Sequence, residues 1–254
     1  MTHPCDICRS TESEPLKQFP AAEICQNCGF IYVPERRSHE EIIEDWRHAY
    51  ANEDYDPTWP AVSGRLLYVA QTIRSVVRPL RTFDFGGGQG EFQRLWQQMS
   101  YGHIMTYDPA GTVGDEDPHN SDVVTINWAL ENSVDCNQML QDASEHLRDY
   151  GVLFIATGSR ILVHPRKPMG EYFSNIAAPD LHCFRFSFNS LRNVLIKNGF
   201  LPFYVNRYQD HDVLLMGAIK SPLNHDMSMV YDDPKRVQEF FDQWEHMSEW
   251  LAST

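Results

Sequence analysis

Hydrophobic and polar positions predict a strand, a turn and a helix in the segment from residue 81 to residue 99. Arg81–Phe85 has the apolar content of a buried strand, and glycines follow at alternate positions up to Gly90. The next apolar residues recur at intervals of three and four: Phe92, Leu95, Trp96 and Met99. That spacing predicts one buried face of a helix. A strand, a glycine turn and a helix form the first half of an α/β nucleotide-type site, whose ligand lies beyond the carboxyl end of the strand.

The pattern of hydrophobic and polar positions also predicts elements along the rest of the chain. Apolar runs predict strands at His103–Tyr107, Asp122–Ile126, Val152–Ala156, Phe203–Tyr208 and Val213–Ile219. Helical spacing predicts a helix capped by Ser38 and Glu41, one from about Ser63 to before Pro79, one through Leu140, Ala143 and Leu147, one through Leu191 and Val194 that ends at Gly199, and a last one from Val237 to Met247. Strands that alternate with helices indicate an α/β fold.

The glycine spacing narrows the choice of ligand. A dinucleotide site needs G-x-G-x-x-G, but Glu91 and Gln93 stand where the third glycine would be, and no Gly-Lys-Ser/Thr of a phosphate loop follows. The residues present read D-x-G-x-G-x-G, which resembles motif I of the class I S-adenosylmethionine (SAM) dependent methyltransferases. The resemblance implies SAM binding by these residues: Asp84, Gly86, Gly87, Gly88 and Gly90. A glycine-rich turn without a ligand is the alternative.

Four of the six cysteines lie in the first 28 residues, as Cys5-x2-Cys8 and Cys25-x2-Cys28 with sixteen residues between the pairs. Two such pairs supply four thiolates to one tetrahedral zinc ion, and four thiolates leave no open position for chemistry. We therefore predict a structural zinc site, with a redox pair or free thiols as the alternatives. Cys136 and Cys183 are predicted to take no part.

Composition limits the functions that remain. The 254-residue chain carries a formal net charge of −14, which opposes binding to a phosphate backbone, so no nucleic-acid partner is expected. No apolar run approaches the roughly 18 residues of a membrane span, and no signal-peptide pattern opens the sequence, so a cytoplasmic protein is expected. We predict four parts: a zinc module (1–35), a helical lid or linker (36–78), a SAM-binding core (79–220) and a C-terminal helical extension (221–254).

Further motifs of the resembled family occur in order across the core. Asp108 follows the second predicted strand and matches the acid that binds the ribose hydroxyls. The segment Asn127–Asn132 resembles motif IV, so that Asn127 is assigned to the cofactor site. The family usually places a helix and a third strand after the acid, but here only fourteen positions separate Asp108 from Asp122. The wall that holds the adenine must then be short or built from elsewhere.

Upstream of motif I, the stretch from Tyr50 to Tyr55 resembles the lid motif of these enzymes, with one of the two tyrosines near the cofactor. The alternative is that these aromatic side chains pack the zinc module onto the core.

The four-cysteine module and the later His182-x3-Phe186-Ser187 together resemble the zinc-bearing sugar methyltransferases. That resemblance implies a small-molecule acceptor, such as a nucleotide sugar, and His182 as the catalytic base beside a long insertion at 159–181. Tyr172, His164 and Glu131 are the reserve candidates for the base. A non-catalytic scaffold that kept the fold and an RNA methyltransferase are the rival functions, and the acidic charge opposes the second. The expected fold is a Rossmann-like α/β sheet with parallel strands and a final antiparallel strand.

Overall fold

The computed structural model describes residues 3–52, 60–111, 114, 119–158, 182–208, 213–222 and 227–253. The strands in these ranges are β1 (Ser13–Leu16), β2 (Phe19–Cys25), β3 (Ile31–Tyr32), β4 (Arg81–Phe85), β5 (His103–Tyr107), β6 (Ser121–Asn127), β7 (Leu147–Gly158), β8 (Phe184–Arg185), β9 (Phe200–Val205) and β10 (Val213–Lys220). The helices are α1 (His39–Ala51), α2 (Pro60–Val76), α3 (Glu91–Gln98), α4 (Cys136–His146), α5 (Phe188–Lys197) and α6 (Pro234–Ser253). A short 3-10 helix, Leu130–Asn132, follows β6.

Six strands form the main sheet, in the order β5-β4-β6-β7-β10-β9. Strands β5, β4, β6 and β7 are mutually parallel, whereas β10 runs antiparallel to both of its neighbours. Asp84 of β4 pairs in register with Thr106 of β5 and Thr125 of β6, so these strands end at a similar level. This topology confirms the predicted α/β fold class with parallel strands and a final antiparallel strand. The carboxyl ends of the parallel strands form one edge, where ligands bind in such sheets.

Helices cover both faces of the main sheet. Apolar side chains of α2 and α3, including Val69, Ile73 and Trp96, pack on one face in a cluster with Phe154 of β7. Side chains of α4 and α5 pack on the other face together with Phe83 of β4. Coverage on both faces explains why the central strands read as continuous apolar runs.

A second sheet joins the cysteine module to the core, in the order β1-β2-β3-β8. Strand β8 lies far along the chain, and Ile31 of β3 pairs with Arg185 while Tyr32 pairs with Phe184. The other side of the module is covered by α6, whose Phe241 and Trp244 are buried against β2. No helix in the described ranges has both the length and the apolarity that crossing a bilayer requires.

Several element boundaries differ from the sequence prediction. Strand β7 begins at Leu147 rather than Val152, because Leu147, predicted in the preceding helix, is extended and pairs with Ser121 of β6. Helix α2 begins at Pro60 rather than near Ser63, because proline suits the first turn, where its missing N–H costs nothing. Strand β9 begins at Phe200 rather than Phe203. Its Pro202 is tolerated because β9 is an edge strand and the register against β10 shifts next to that residue.

Candidate functional site

The four N-terminal cysteines converge on one point. Their ligand atoms all lie within 4.8 Å of one another. The Sγ atoms of Cys5 and Cys28 are 3.5 Å apart, and those of Cys8 and Cys25 are 3.4 Å apart. A tetrahedral ion with Zn–S bonds of about 2.3 Å separates its sulfurs by about 3.8 Å, so the donor set fits one zinc ion.

Cys136 and Cys183 are not members of this cluster. Burial raises the pKa of Cys183 to about 11 and that of Cys136 well above its usual value. Both side chains therefore stay protonated thiols, which are poor nucleophiles and poor metal ligands. Within the cluster, hydrogen bonds among the thiols lower the pKa of Cys25 and raise the pKa values of Cys5 and Cys28.

A buried ion pair fastens the cysteine module to the core. The side chains of Arg36 and Asp6 are 1% and 5% exposed, and two guanidinium nitrogens bond the two carboxylate oxygens. Arg36 also donates to the carbonyl oxygens of Val33 at 2.9 Å and Val134 at 2.6 Å. Its guanidinium lies 4.6 Å from the centre of the Phe184 ring. The segment 36–78, predicted as a helical lid or linker, thus begins with a buried arginine whose three nitrogens all have hydrogen-bond partners.

A cavity of about 720 Å³ opens at the carboxyl edge of the main sheet. This volume is within the range of about 300 to 1,000 Å³ that is typical of small-molecule and cofactor sites. The candidate cofactor residues that line it are Gly86, Gly87, Gly88, Asp108 and Asn127. Helices α1 and α2 supply the opposite wall through Ile42, Trp46, Tyr50 and Leu66.

The glycine turn passes directly beneath the end of α1. Gly88 has φ of +59°, and a Cβ there would lie 3.2 Å from Oη of Tyr50 and 3.1 Å from Oε2 of Glu91. Glycine is the residue that adopts this left-handed geometry without strain. The Tyr50 ring also packs against Trp46, with ring centroids 5.6 Å apart. Of the two predicted lid tyrosines, Tyr50 therefore faces the turn, whereas Tyr55 lies outside the described residues.

Asp84 supports the turn from below. It has 0% exposure, and its Oδ1 accepts hydrogen bonds from Thr125 Oγ1 at 2.7 Å and Asn127 Nδ2 at 2.9 Å. Its Oδ2 has no hydrogen-bond partner among the described residues, and a Cβ on Gly87 would lie 2.4 Å from that atom. Burial raises the pKa of Asp84 to about 7, the two hydrogen bonds oppose this shift, and the Asp108 charge adds to it.

Asp108 ties the glycine turn to the loop that follows β5. Its Oδ2 accepts the N–H of Gly88 at 2.9 Å, and its Oδ1 accepts those of Ala110 at 2.8 Å and Gly111 at 3.1 Å. A carboxylate offers about four acceptor positions, and three of them are used in this way. One remains for a ligand.

The end of β6 contributes an acceptor without a partner. Asn127 donates its Nδ2 to Asp84, and its Oδ1 is buried with no hydrogen-bond partner among the described residues. The next residue, Trp128, has φ of +52°, which is unusual for a bulky side chain, and its N–H donates to Ala156 O at 2.8 Å. Unpartnered buried groups and strained residues are both typical of ligand sites.

His182 lies close to Glu131, which is part of the 3-10 helix. The carbonyl oxygen of Glu131 accepts the N–H of Cys183 at 2.7 Å. Burial raises the pKa of the Glu131 carboxyl, and the nearby charge of His182 acts in the opposite direction. Oε2 of Glu131 has no hydrogen-bond partner among the described residues. Within the described part of the chain, the cavity wall is formed by other side chains than these two.

Some predicted residues lie outside the described ranges, and some lining residues were not predicted. The reserve candidates His164 and Tyr172, with the whole insertion at 159–181, are outside the described residues. Among the lining residues that were not predicted are three on α4: Gln138, Met139 and Asp142. In the sequence, only the three-residue spacing of Met139 and Asp142 indicates that the two lie on one helix face.

Comparisons with known proteins identify the fold. No protein-family model matches the chain, and no curated protein matches it. Among solved structures, the chain is 14% identical to 1,6-didemethyltoxoflavin-N1-methyltransferase of Burkholderia thailandensis, which was solved with its substrate and S-adenosylhomocysteine (SAH). That match has a TM-score of 0.54 and covers 76% of this chain and 96% of the other.

Two further structures have the same architecture. A putative O-methyltransferase of Nostoc punctiforme matches at 13% identity with a TM-score of 0.53, covering 74% of this chain but only 63% of that one, less than two thirds. A chain of the Haloferax volcanii complex between the Trm112 methyltransferase activator and a putative methyltransferase matches at 14% identity with a TM-score of 0.50, covering 74% of this chain and 100% of that chain. At these identities the likeness establishes the fold: this chain has the class I SAM-dependent methyltransferase fold.

Proposed function

We propose that this protein transfers a methyl group from SAM to a small-molecule acceptor. The observation that carries the proposal is the cavity of about 720 Å³ at the carboxyl edge of the sheet. A glycine turn, an acid and an amide from three adjacent strands meet there: Gly88, Asp108 and Asn127. This is the place where folds of this type bind ligands.

The unpartnered atoms fit the polar groups of SAM. Oδ1 of Asn127 would accept a hydrogen bond from the amino group of the methionine part, because it is buried and without a partner among the described residues. The remaining acceptor position of Asp108 would take one ribose hydroxyl; accepting both requires release of one backbone contact. Asp84 has no exposed surface, so its part in binding is to hold Asn127 and the turn. When bound, SAM supplies an activated methyl group.

Helix α1 covers the proposed site. Trp46 and Tyr50 lie over the glycine turn and would exclude water from the methyl group. A closed, apolar cover also strengthens the electrostatic contacts beneath it.

For the acceptor we propose a sugar or nucleotide sugar, on the basis of the cysteine module and the His182 motif. His182 is the proposed base, with the neighbouring Glu131 as the group that orients it. Histidine is the side chain most often used as a general base, and its imidazole can take up a proton from an acceptor hydroxyl. The insertion at 159–181 would complete the acceptor site.

We also propose that Cys5, Cys8, Cys25 and Cys28 hold one zinc ion with a structural role. The spacing of the sulfurs supports this assignment. Four thiolates complete the coordination, so the ion supplies folding energy and no open position for a substrate.

One observation favours a second candidate, a non-catalytic protein that kept the fold. Asp108, the residue assigned to the ribose, already accepts three N–H groups of its own chain. Under this alternative those contacts never open, and the protein would bind neither SAM nor SAH.

Calorimetry with SAM, followed by transfer of a labelled methyl group to nucleotide sugars, tests the proposal. Asp108→Ala should weaken SAM binding by about 10- to 100-fold, the effect of losing a hydrogen bond to a charged group. Asp149→Ala removes the same charge from an exposed position and should bind normally. Equal affinity of wild type and Asp108→Ala would place the pocket elsewhere.

The role of His182 needs a turnover measurement. His182→Ala should bind SAM normally and lose at least about 100-fold in turnover, the effect of losing a positioned base. His103→Ala, exposed at the amino end of β5 and away from the cavity edge, is the matched control. Unchanged turnover in His182→Ala would reject His182 as the base.

A further inference from the structure

The cavity extends past the strand ends to the side of the sheet where the resembled family has a further strand. Among the described residues β5 is the edge strand of the main sheet, and residues 108–120 connect β5 to β6. The part of the cavity next to β5 is lined by Phe85 and Tyr107, whose rings stack with centroids 6.1 Å apart and planes 18° apart. Tyr107 is 40% exposed, so its ring offers surface to a ligand.

Helix α4 forms the facing wall. Met139 and Asp142 are one turn apart on the same side of the helix, and both line the cavity. The Met139 methyl lies close to the glycine turn, because a Cβ on Gly86 would be 3.3 Å from Met139 Cε. Asp142 Oδ1 accepts a hydrogen bond from Gln138 Nε2 at 2.8 Å, which orients the carboxylate at the cavity wall.

These groups have the chemistry of a purine site. Aromatic rings and a methionine thioether make favourable contacts with a flat aromatic base. A carboxylate accepts hydrogen bonds and donates none, so Asp142 distinguishes an amino group from a carbonyl on the base. Gln138 can both donate and accept.

We propose that α4 replaces the missing adenine wall, so that the adenine of SAM binds against Met139 and Tyr107 and donates its amino group to Asp142. This inference rests on the proposed function and adds a site that the sequence motifs do not assign. It also gives the α4 residues a specificity role: they select adenine over bases that carry a carbonyl at the same position.

The test compares binding of SAH with binding of S-inosylhomocysteine, in which a carbonyl replaces the amino group, by calorimetry. The wild type should prefer SAH by at least about tenfold, the effect of losing a hydrogen bond to a charged group. Asp142→Asn should lose about tenfold in SAH affinity and bring the preference to within about threefold, because an amide can donate to the carbonyl. Met139→Ala should weaken both ligands equally.

Glu145→Gln is the control, since Glu145 is exposed one turn beyond Asp142 on α4, is not among the residues that line the cavity, and makes the same charge change. It should behave as the wild type. If the wild type binds SAH but Asp142→Asn keeps both the affinity and the preference, the α4 site is wrong while the proposed function stands. If the wild type binds neither ligand, the proposed function fails, and the α4 site fails with it.

Discussion

Two buried polar regions of this molecule differ in how their groups are satisfied. At the junction between the cysteine module and the core, Arg36 directs its donor nitrogens to Asp6 and to two carbonyl oxygens. At the cavity floor, Asp84 and Asn127 each keep one buried oxygen without a partner in the described part of the chain. In the first region every nitrogen of Arg36 has a hydrogen-bond partner within the protein. In the second region two oxygens lack a hydrogen-bond donor among the described residues.

This difference distinguishes a site that holds the fold together from a site that binds a ligand. Burying charge is costly, so a purely structural site supplies every partner itself. Buried acceptors without partners are rare in native proteins and need a reason. The module junction therefore fixes the fold, whereas Asn127, which lines the cavity above the buried Asp84, can accept a hydrogen bond from a ligand. The predictions below test this contrast.

The largest effect is expected from the cysteine cluster. Cys28→Ser should lose the zinc ion and destabilise the protein by more than about 5 kcal/mol, because metal binding to such sites supplies much of their folding energy. Zinc content by elemental analysis and urea unfolding measure the two effects. Cys183→Ala, outside the cluster, should keep one zinc per chain; wild-type protein purified with care but without zinc would contradict the assignment.

Breaking the ion pair between Arg36 and Asp6 should have the next largest effect on stability. Arg36→Met leaves Asp6 as a buried unpaired charge and should lower the free energy of unfolding by about 3–5 kcal/mol. The adjacent Arg37 pairs with Asp45, and both side chains are about one-third exposed. Arg37→Met should therefore cost no more than about 1 kcal/mol.

A double mutant sharpens this comparison. Asp6→Asn combined with Arg36→Met should recover part of the loss, which a urea double-mutant cycle measures. Equal small losses for the two arginine variants would mean that the junction does not hold the module.

Asp84, beneath the cavity floor, should make the free energy of unfolding depend on pH. The pKa of Asp84 rises from 3.8 to about 7 on folding, so its stabilising effect is full at low pH and is lost as the pH rises through about 7. Ionisation of Asp84 alone should lower the free energy of unfolding by about 3 kcal/mol between pH 5 and pH 8. Asp84→Asn imitates the protonated form and should remove that drop, as followed by urea unfolding.

Asp149→Asn, at an exposed position, should leave the drop unchanged. A pH profile of Asp84→Asn that superimposes on that of the wild type would show that Asp84 is not buried as a charge.

Most of the fold could be predicted because its signals are local. Strand β4, the glycine turn and helix α3 follow directly from the hydrophobic spacing, and β5 and β6 match closely. Strand β9 was displaced by three residues because Pro202 argues against a strand unless its edge position is known. Strand β8 could not be predicted, since its two residues pair only with the distant β3.

The candidate site was predictable where a motif marks it. The glycine turn, Asp108 and Asn127 could be read from spacing and resemblance, and they line one cavity. The burial of Arg36 and the cavity wall on α4 could not be predicted, because both depend on which surfaces the fold brings together. The roles of these residues remain predictions.

A titration of SAH into the wild type and Gly88→Val tests the central claim most directly. Gly64→Val is the control, because Gly64 has open space around it. The account predicts one saturable site per chain in the wild type and in Gly64→Val, and loss of binding in Gly88→Val. The valine side chain would fill the space beneath Tyr50, where φ of +59° also disfavours it. No binding by the wild type, or equal binding by Gly88→Val, would contradict the account.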